Sequence, residues 1–520
     1  MNQEGPFTIP AINNYIPEKL KPFIIILFVI LFQFSGGIYL ASLNQMVGET
    51  QLLPHDIMMA GFASLVGMSL FFTIMLRFKM RFTTKFSFIV CAVGLIIANV
   101  ICLYTKSLPV LIAVCFLVGI LKMWATFECN STIQLWITQK RDMAIFFCYI
   151  YILVQGVIQL SGSTTIYLEY FFGWEYMHWF VIGALLFIIL ATLLIFNANR
   201  FMPPFPLFGI DWLGALLWGI ICLSINFICL YGDHFDWFMS DEIPIACGVL
   251  LIALGSNLYR ASFIRHPFIP LKTFLYKPVW ITIVLYLIVD LFIAPAHLIE
   301  HIYFHNILKH DSLHTLEFHT ISWFAVFCAA LFTYHFFALA RRTFVSAFIL
   351  GFIPIVGYLI SMYFFIDHNT SDEMLYIPIF LRNFGYVICS IVLLTNLIKT
   401  PFQNFFSAFS IQMFISAACG AAICSAILGV MFKQVAAKNF MLMSTNLDLV
   451  NPILSQLDQQ KIGDILGQQI LMVSFKEIFG LLLILSIISL GIFVIYWNFL
   501  SLHTRPFDFS GPPPKKGDVQ

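Results

Sequence analysis

Fourteen long apolar runs constrain this chain more than any other feature. They fall at about 22–44, 57–77, 86–104, 109–136, 143–169, 176–196, 209–231, 243–262, 278–304, 315–340, 343–366, 374–398, 403–434 and 475–500. An apolar run of about 20 residues crosses a bilayer as a helix, because a helix satisfies its own backbone where no water is present. The expectation is an all-α polytopic membrane protein with fourteen transmembrane helices. Composition agrees: of 520 residues, 60% are hydrophobic and only 10% charged, whereas soluble domains carry about 25% charged residues. The net charge is +1, and no nucleic-acid partner is expected. The twelve cysteines lie in or beside apolar runs without C-x-x-C spacing, as small packing residues do. No cofactor is expected. The polar, acid-containing N-terminal segment lacks a basic region leading straight into a cleavable apolar one, so the first span reads as an uncleaved insertion signal.

The charges are sorted by side. An even number of spans puts both termini on one side of the membrane. Nineteen of the 27 Lys and Arg residues fall in the two tails and the even-numbered connections, six fall in the odd-numbered ones, and Lys122 and Arg382 lie inside spans. Basic residues are retained in the cytoplasm, so both termini are expected there. The acids Glu49, Asp56, Asp233, Asp236, Asp241 and Glu242 gather on the other side. The proline-rich connection NANRFMPPFPLFGID breaks the chain between packing units after span 6. The outer connection 433–475 reads as polar and partly helical, and the tail SGPPPKKGDVQ as disordered.

Polar groups inside the spans are the candidate site. The stretch Lys277–His319 stands out, with Asp290 in an apolar span, then Pro295 and a run of histidines. Asp290 follows Lys277 by about 13 residues, roughly 20 Å along a helix and near mid-bilayer. A carboxylate in hydrocarbon is costly and marks a functional site by default. Withdrawn from water, a carboxyl holds its proton more readily, which suits a proton-coupling group. Glu128 lies in the polar patch ATFECNSTIQLW with Asn130, and either lines a cavity or sits at the wet end of its span. Lys122, six residues earlier, points to another helix face and calls for a partner elsewhere, with Asp290 at similar depth. Arg382 matches Glu300 in depth, and a salt bridge between them is expected. Asn44, Gln155 and Gln159 are further candidates for a polar cavity. His297, His301 and His305 form one helical stripe that suits an interfacial position better than a metal site, which draws ligands from several elements.

Several segments carry a family resemblance. GIDWLGALLWGIICLSINFICLYGDHFDWFMSDEI has Asp211 and Gly214 opening span 7, then Gly232 and Trp237 before span 8. HPFIPLKTF precedes span 9, FGWEYMHWFVIG leads into span 6, and the Gln-rich QLDQQKIGDILGQQILMVSFKEIFG leads into span 14. In this the chain resembles the major facilitator superfamily, and more narrowly its fourteen-span drug:proton antiporters of the EmrB/QacA type. The resemblance implies the major facilitator fold, two six-helix bundles plus two inserted helices. Its divisions would be an N-terminal bundle at 1–200, an insert at 201–265, a C-terminal bundle at 266–504 and a cytoplasmic tail at 505–520. The family's coupling residues are largely absent from their usual places. Ser35 replaces an Asp in span 1, and Cys115 an Arg four residues before Gly119. TIMLRFKMRFTTK keeps Arg77, Lys79 and Arg81 but lacks the family's glycines and Asp, and the antiporter motif is reduced to SGSTT around Gly162.

The functional expectation is a secondary transporter of the bacterial inner membrane, a proton-coupled exporter of small hydrophobic or amphipathic molecules. Asp290 and Glu128 would handle protons, with Lys122, Arg382 and Glu300 as charge partners. By the resemblance, a periplasmic adaptor and an outer-membrane channel would complete the export route. Two other classes stay open: a membrane enzyme acting on lipid or glycan through the histidines, and a sensor or scaffold that keeps the fold without transport. The sequence offers no H-E-x-x-H pattern for the enzyme. The retained intramembrane charges argue against an idle scaffold.

Overall fold

A computed structural model of the chain describes residues 11–35, 46–47, 52–138, 142–198, 204, 206–445 and 459–500. Among the described residues, fourteen principal helices follow one another. They are α1 (Lys21–Phe34), α2 (Pro54–Arg81), α3 (Thr84–Tyr104), α4 (Leu108–Ile137), α5 (Met143–Phe172), α6 (Glu175–Ile195) and α7 (Trp212–Tyr231). Then come α8 (Glu242–Phe263), α9 (Lys277–Ile307), α10 (Leu313–Leu339), α11 (Phe344–Phe365), α12 (Asp372–Leu397), α13 (Phe402–Ser444) and α14 (Gln459–Leu500). Among the described residues, the thirteen from α2 onward are long and apolar enough to cross a membrane, and α1 is a shorter apolar helix. The helices start where local chemistry permits. Proline occupies the first turn of α1, α2, α4 and α9, where its missing N–H costs nothing. Thr83, Asp142, Asp211 and Thr343 cap α3, α5, α7 and α11 by accepting a backbone N–H.

The helices pack as two six-helix bundles. In the first, α1 packs on α4, α5 and α6, α3 on α4 and α6, and α2 on α4. In the second, α9 packs on α12 and α13, α12 on α10 and α11, and α14 on α11 and α13. The α2–α4 contact is close because neither helix carries a side chain there. A Cβ on Gly119 would lie 1.8 Å from the Ser64 carbonyl oxygen, and one on Gly67 2.1 Å from that of Phe116. Small residues let backbones approach in this way wherever helices associate in lipid.

The bundles meet along two seams, α2 against α13 and α5 against α10 and α12. The Ser410 hydroxyl donates to the Ser69 carbonyl at 2.6 Å across the first seam, and Phe72 stacks on Phe409 beside it. The inserted helices α7 and α8 pack on each other, and α7 lies against α2 and α13. Asp211 ties this pair together. It caps α7 at the Gly214 N–H (2.9 Å), meets Arg260 of α8 at 2.5 Å and accepts the Phe268 N–H at 3.2 Å. A side chain on Gly214 would strike the Asp211 carboxylate, and one on Gly232 would strike the Trp237 ring. The four residues of the span 7–8 pattern therefore do structural work.

One boundary differs in degree from the sequence expectation. The connection read as polar and partly helical at 433–475 is largely helix among the described residues, because α13 continues to Ser444 and α14 begins at Gln459. These polar extensions stay helical by pairing: Lys438 with Glu477, and Asn439 with Ser474 at 3.0 Å. α1 ends at Phe34 with Ser35 bonding back to the Phe32 carbonyl, and the rest of the first span, expected to reach residue 44, lies outside the described residues. Asn44 lies outside the described residues.

Among the described residues, four π-helical turns interrupt the α-helices: Ile152–Gly156 in α5, Tyr303–Ile307 in α9, Tyr334–Leu339 in α10 and Phe414–Cys419 in α13. Such turns are rare and concentrate at functional sites.

Candidate functional site

Asp290 lies on α9, 7% exposed, and its Oδ2 has no hydrogen-bond partner among the described residues. That oxygen faces the bare backbone of Gly420, directly after the π-turn of α13; a Cβ there would come within 2.7 Å of it. Tyr286, one turn earlier on α9, donates to the Ser390 carbonyl of α12 at 3.2 Å. Tyr151 is buried on α5, a helix of the first bundle that packs against α12.

The Lys122–Asp290 pair is absent. Asp290 turns toward α13, whereas Lys122, 8% exposed, sits on α4, which packs chiefly on α1, α2 and α3. Lys122 forms no ion pair among the described residues. One turn along α4, Thr126 accepts from Gln33 of α1 at 3.0 Å.

Glu128 is fully buried and paired with Lys79 of α2 at 2.5 Å, and Lys79 also donates to Thr132 at 3.0 Å. It therefore has a counter-ion within its own bundle. Asn130 is buried, and its Oδ1 lacks a partner among the described residues.

Toward the end of α9 far from Lys277, Arg382 of α12 is ion-paired with Glu300 of α9. The Tyr358 hydroxyl of α11 donates to the other Glu300 oxygen at 2.7 Å, and the guanidinium lies 5.8 Å from the centre of the Tyr358 ring. Beside this group Asn383 donates to Ser322 of α10 at 3.0 Å. His297 lies two helical turns beyond Asp290 on the same face of α9. It is exposed, although the face is otherwise inward. An exposed side chain on an inward stripe borders open space between helices.

The remaining polar candidates are placed as follows. Gln159 of α5 meets His319 Nδ1 of α10 at 2.9 Å, so it joins the bundles. Gly162 gives that imidazole room, since a Cβ would lie 3.1 Å from its ring. Gln155, half-buried, sits in the π-turn of α5. His301 and His305 stack on each other, with ring centres 6.2 Å apart. Among the described residues no three His, Cys, Asp or Glu side chains are placed to share a metal ion.

Tyr358 completes the Glu300–Arg382 group and Lys79 pairs with Glu128. Tyr286 carried a readable signal, being four residues before Asp290 and so on its face. Tyr358 comes from a separate helix and carries none, and Lys79 was legible only as one of the basic residues after span 2.

No protein-family model and no curated protein sequence matches the chain. Solved structures do. PepTSo2 in its tetrameric crystal structure aligns with TM-score 0.59 and 12% identity over 94% of this chain and 100% of that one. A bacterial homologue of the human lysosomal transporter Spinster aligns with TM-score 0.53 and 12% identity over 94% and 99%. The nucleoside transporter NupG aligns with TM-score 0.51 and 12% identity over 90% and 98%. At this identity the likeness concerns the fold alone. The chain has the major facilitator fold, two six-helix bundles with α7 and α8 as the inserted pair.

Proposed function

We propose that the chain is a secondary transporter that moves small solutes across a membrane by alternating access, with Asp290 as its protonatable group. The observation that carries the reading is Asp290 itself: a buried carboxylate near mid-span, packed against α13, with an oxygen that has no hydrogen-bond partner among the described residues. A charge left in that position is costly unless it works. Rocking one bundle against the other along the α2–α13 and α5–α10 seams would present such a site to each side in turn. Other proteins of this fold include the nucleoside transporter NupG and proton dependent oligopeptide transporters, which supports a solute carrier and leaves the substrate open.

The finer assignments rest on sequence. The span 7–8 pattern favours a drug:proton antiporter of the EmrB/QacA type, and hence an exporter of hydrophobic or amphipathic molecules. The charge asymmetry favours cytoplasmic termini and an inner-membrane location. An adaptor and an outer-membrane channel follow from the resemblance alone. The bundle limits 1–200 and 266–504, with the insert at 201–265 between them, belong to the same reading.

The test is solute-dependent proton movement in proteoliposomes under an imposed pH gradient. The panel is a lipophilic cation, a short peptide and a nucleoside. At least one should move protons with wild-type protein, and Asp290→Asn should reduce that movement to the level of empty vesicles. Undiminished flux in the variant would remove Asp290 from the mechanism, and silence across the panel would count against proton coupling.

A further inference from the structure

We infer that α5 and α10 frame a lateral portal to the bilayer, through which an amphipathic solute with an uncharged hydrogen-bonding head enters from the membrane to reach the interior between the bundles. This rests on the transporter reading above and adds to it a route and a kind of head group.

Three observations meet at this seam. First, the other seam between the bundles is covered and this one is not. α7 runs along α2 and α13. Toward its start Trp218 stacks on Phe414 of α13, ring centres 5.7 Å apart, and a Cβ on Gly219 would lie 3.3 Å from Leu70 of α2. In its middle the Cys222 carbonyl meets the Cys419 thiol of α13 at 4.0 Å, and at its end the Tyr231 hydroxyl donates to Asp56 of α2. Lipid is thereby kept from the α2–α13 seam. The main packing partners of α5 and α10 are bundle helices, not the inserted pair.

Second, the uncovered seam is amphipathic. Trp323 and Phe327 of α10 stack with ring centres 6.2 Å apart, and both are exposed, as are Leu160 and Tyr167 of α5. At about 100° per residue, His319 falls between this exposed arc of α10 and the buried arc of Ser322, Val326 and Ala330. Its Nδ1 meets the Gln159 side-chain oxygen of α5 at 2.9 Å, so a polar pair stands directly behind an aromatic rim. An amide and an imidazole each donate and accept hydrogen bonds. No ion pair joins α5 to α10 among the described residues. An alcohol or amide head on a hydrocarbon body matches both parts.

Third, the two helices meet on a surface that can part. Trp323 rests against Gly156, 3.7 Å from where a Cβ would be, and the His319 ring lies 3.1 Å from that point on Gly162. Side chains that lie on bare backbone are not locked into grooves between other side chains. The π-turns Ile152–Gly156 of α5 and Tyr334–Leu339 of α10 lie toward one end of the seam, where Tyr149 meets Tyr334 with ring centres 6.2 Å apart. Their loosened hydrogen bonds let both helices bend there, so that the stretch beyond, with Gln159 and His319, swings apart.

The experiment is photolabelling of the full chain in proteoliposomes with a long-chain primary alcohol that carries a diazirine in its chain. Adducts are mapped by peptide mass spectrometry, with the unmodified alcohol as competitor. Adducts that the competitor removes should fall on 160–167 and 323–327 at least about fivefold above those on α2 and α13 at the covered seam. Adducts on the exposed Leu251 and Ile252 of α8 should survive competition, because contact with bulk lipid does not saturate. An alkane of the same length should compete about tenfold less well than the alcohol, and Gln159→Leu should remove that difference. Competable adducts spread evenly over the lipid-facing helices, or none at all, overturn the portal. Equal competition by alkane and alcohol in the wild type overturns the head-group assignment and with it the proposal. Should Gln159→Leu fail to fold, the wild-type comparison of alcohol with alkane decides alone. Labelling needs neither flux nor gradient, so a negative result removes the portal and leaves the carrier reading to the flux assay.

Discussion

The Glu300–Arg382 pair illustrates what a single charged residue does inside this protein. Both side chains are largely buried, at 5% and 16% exposure. Removing one partner of such a pair leaves the other desolvated and uncompensated, at a cost of about 3–5 kcal/mol, whereas replacing both by apolar groups is often nearly neutral. Arg382→Met alone should therefore lower stability in detergent by about 3 kcal/mol, and Glu300→Gln with Arg382→Met should recover at least about half of that. Recovery of stability without recovery of transport would assign the pair a role beyond holding α9 to α12. Equal loss in the single and double variants would contradict the account. Outside the spans, His310 gives a pH signature. Burial, and then the neighbouring His314, push its pKa below the usual histidine value, while Asp372, 2.9 Å away, pushes the other way; the net shift is downward. A histidine whose folded pKa is depressed contributes stability that is full above its unfolded value, about 6.5, and lost as pH falls through the folded one. Thermal stability should accordingly decline on acidification below about pH 6.5, and His310→Gln should flatten that decline. A slope unchanged by the substitution would place the acid sensitivity elsewhere.

At the scale of the helix, the close approach of α2 and α4 depends on two glycines. A methyl group at Gly119 would overlap the Ser64 carbonyl oxygen at 1.8 Å and crowd the Met68 amide nitrogen at 2.9 Å. Both obstacles are backbone and cannot rotate aside. Gly119→Ala should cost about 3 kcal/mol, the upper end of overpacking effects. Gly183→Ala, where nothing lies within 4 Å, should be neutral or stabilising. Equal melting temperatures for the two variants would refute the packing argument. The spans themselves were legible because a bilayer demands one long apolar helix after another. The ends of α13 and α14 were not, since polar side chains such as Asn439 and Glu477 sustain helix by pairing across two segments far apart in sequence. The site was legible in the same partial way. Asp290, Glu300 and Arg382 announce themselves as charges in apolar runs. The partners that decide their roles come from other helices, and composition and periodicity carry no record of which helix a side chain meets. Lys122 shows the cost of that gap: depth alone suggested Asp290 as its partner, and α4 packs elsewhere. Glu128 shows the converse, because its counter-ion Lys79 was visible only as one basic residue of the loop after span 2.

At the scale of the whole molecule, the two bundles are joined by few polar contacts, and alternating access requires those contacts to break. The Gln159–His319 bond between α5 and α10 is one of them, at 2.9 Å. Within the first bundle Asn99 of α3 meets His178 of α6 at the same distance. The two bonds are alike in chemistry and differ in whether they cross the seam, so they separate rigid-body motion from local loosening. Cysteines at 159 and 319, joined by a short thiol-reactive linker, should abolish solute flux, and reductive release should restore it. Cysteines at 99 and 178, joined in the same way, should leave most of the flux intact, because α3 and α6 move together. Linker formation is read by peptide mass, which distinguishes the engineered pair from the native cysteines. Loss of flux in both pairs would mean that the bundles deform internally during transport. Loss in neither would mean that the α5–α10 seam stays closed throughout, and the motion would have to run along α2 and α13 instead.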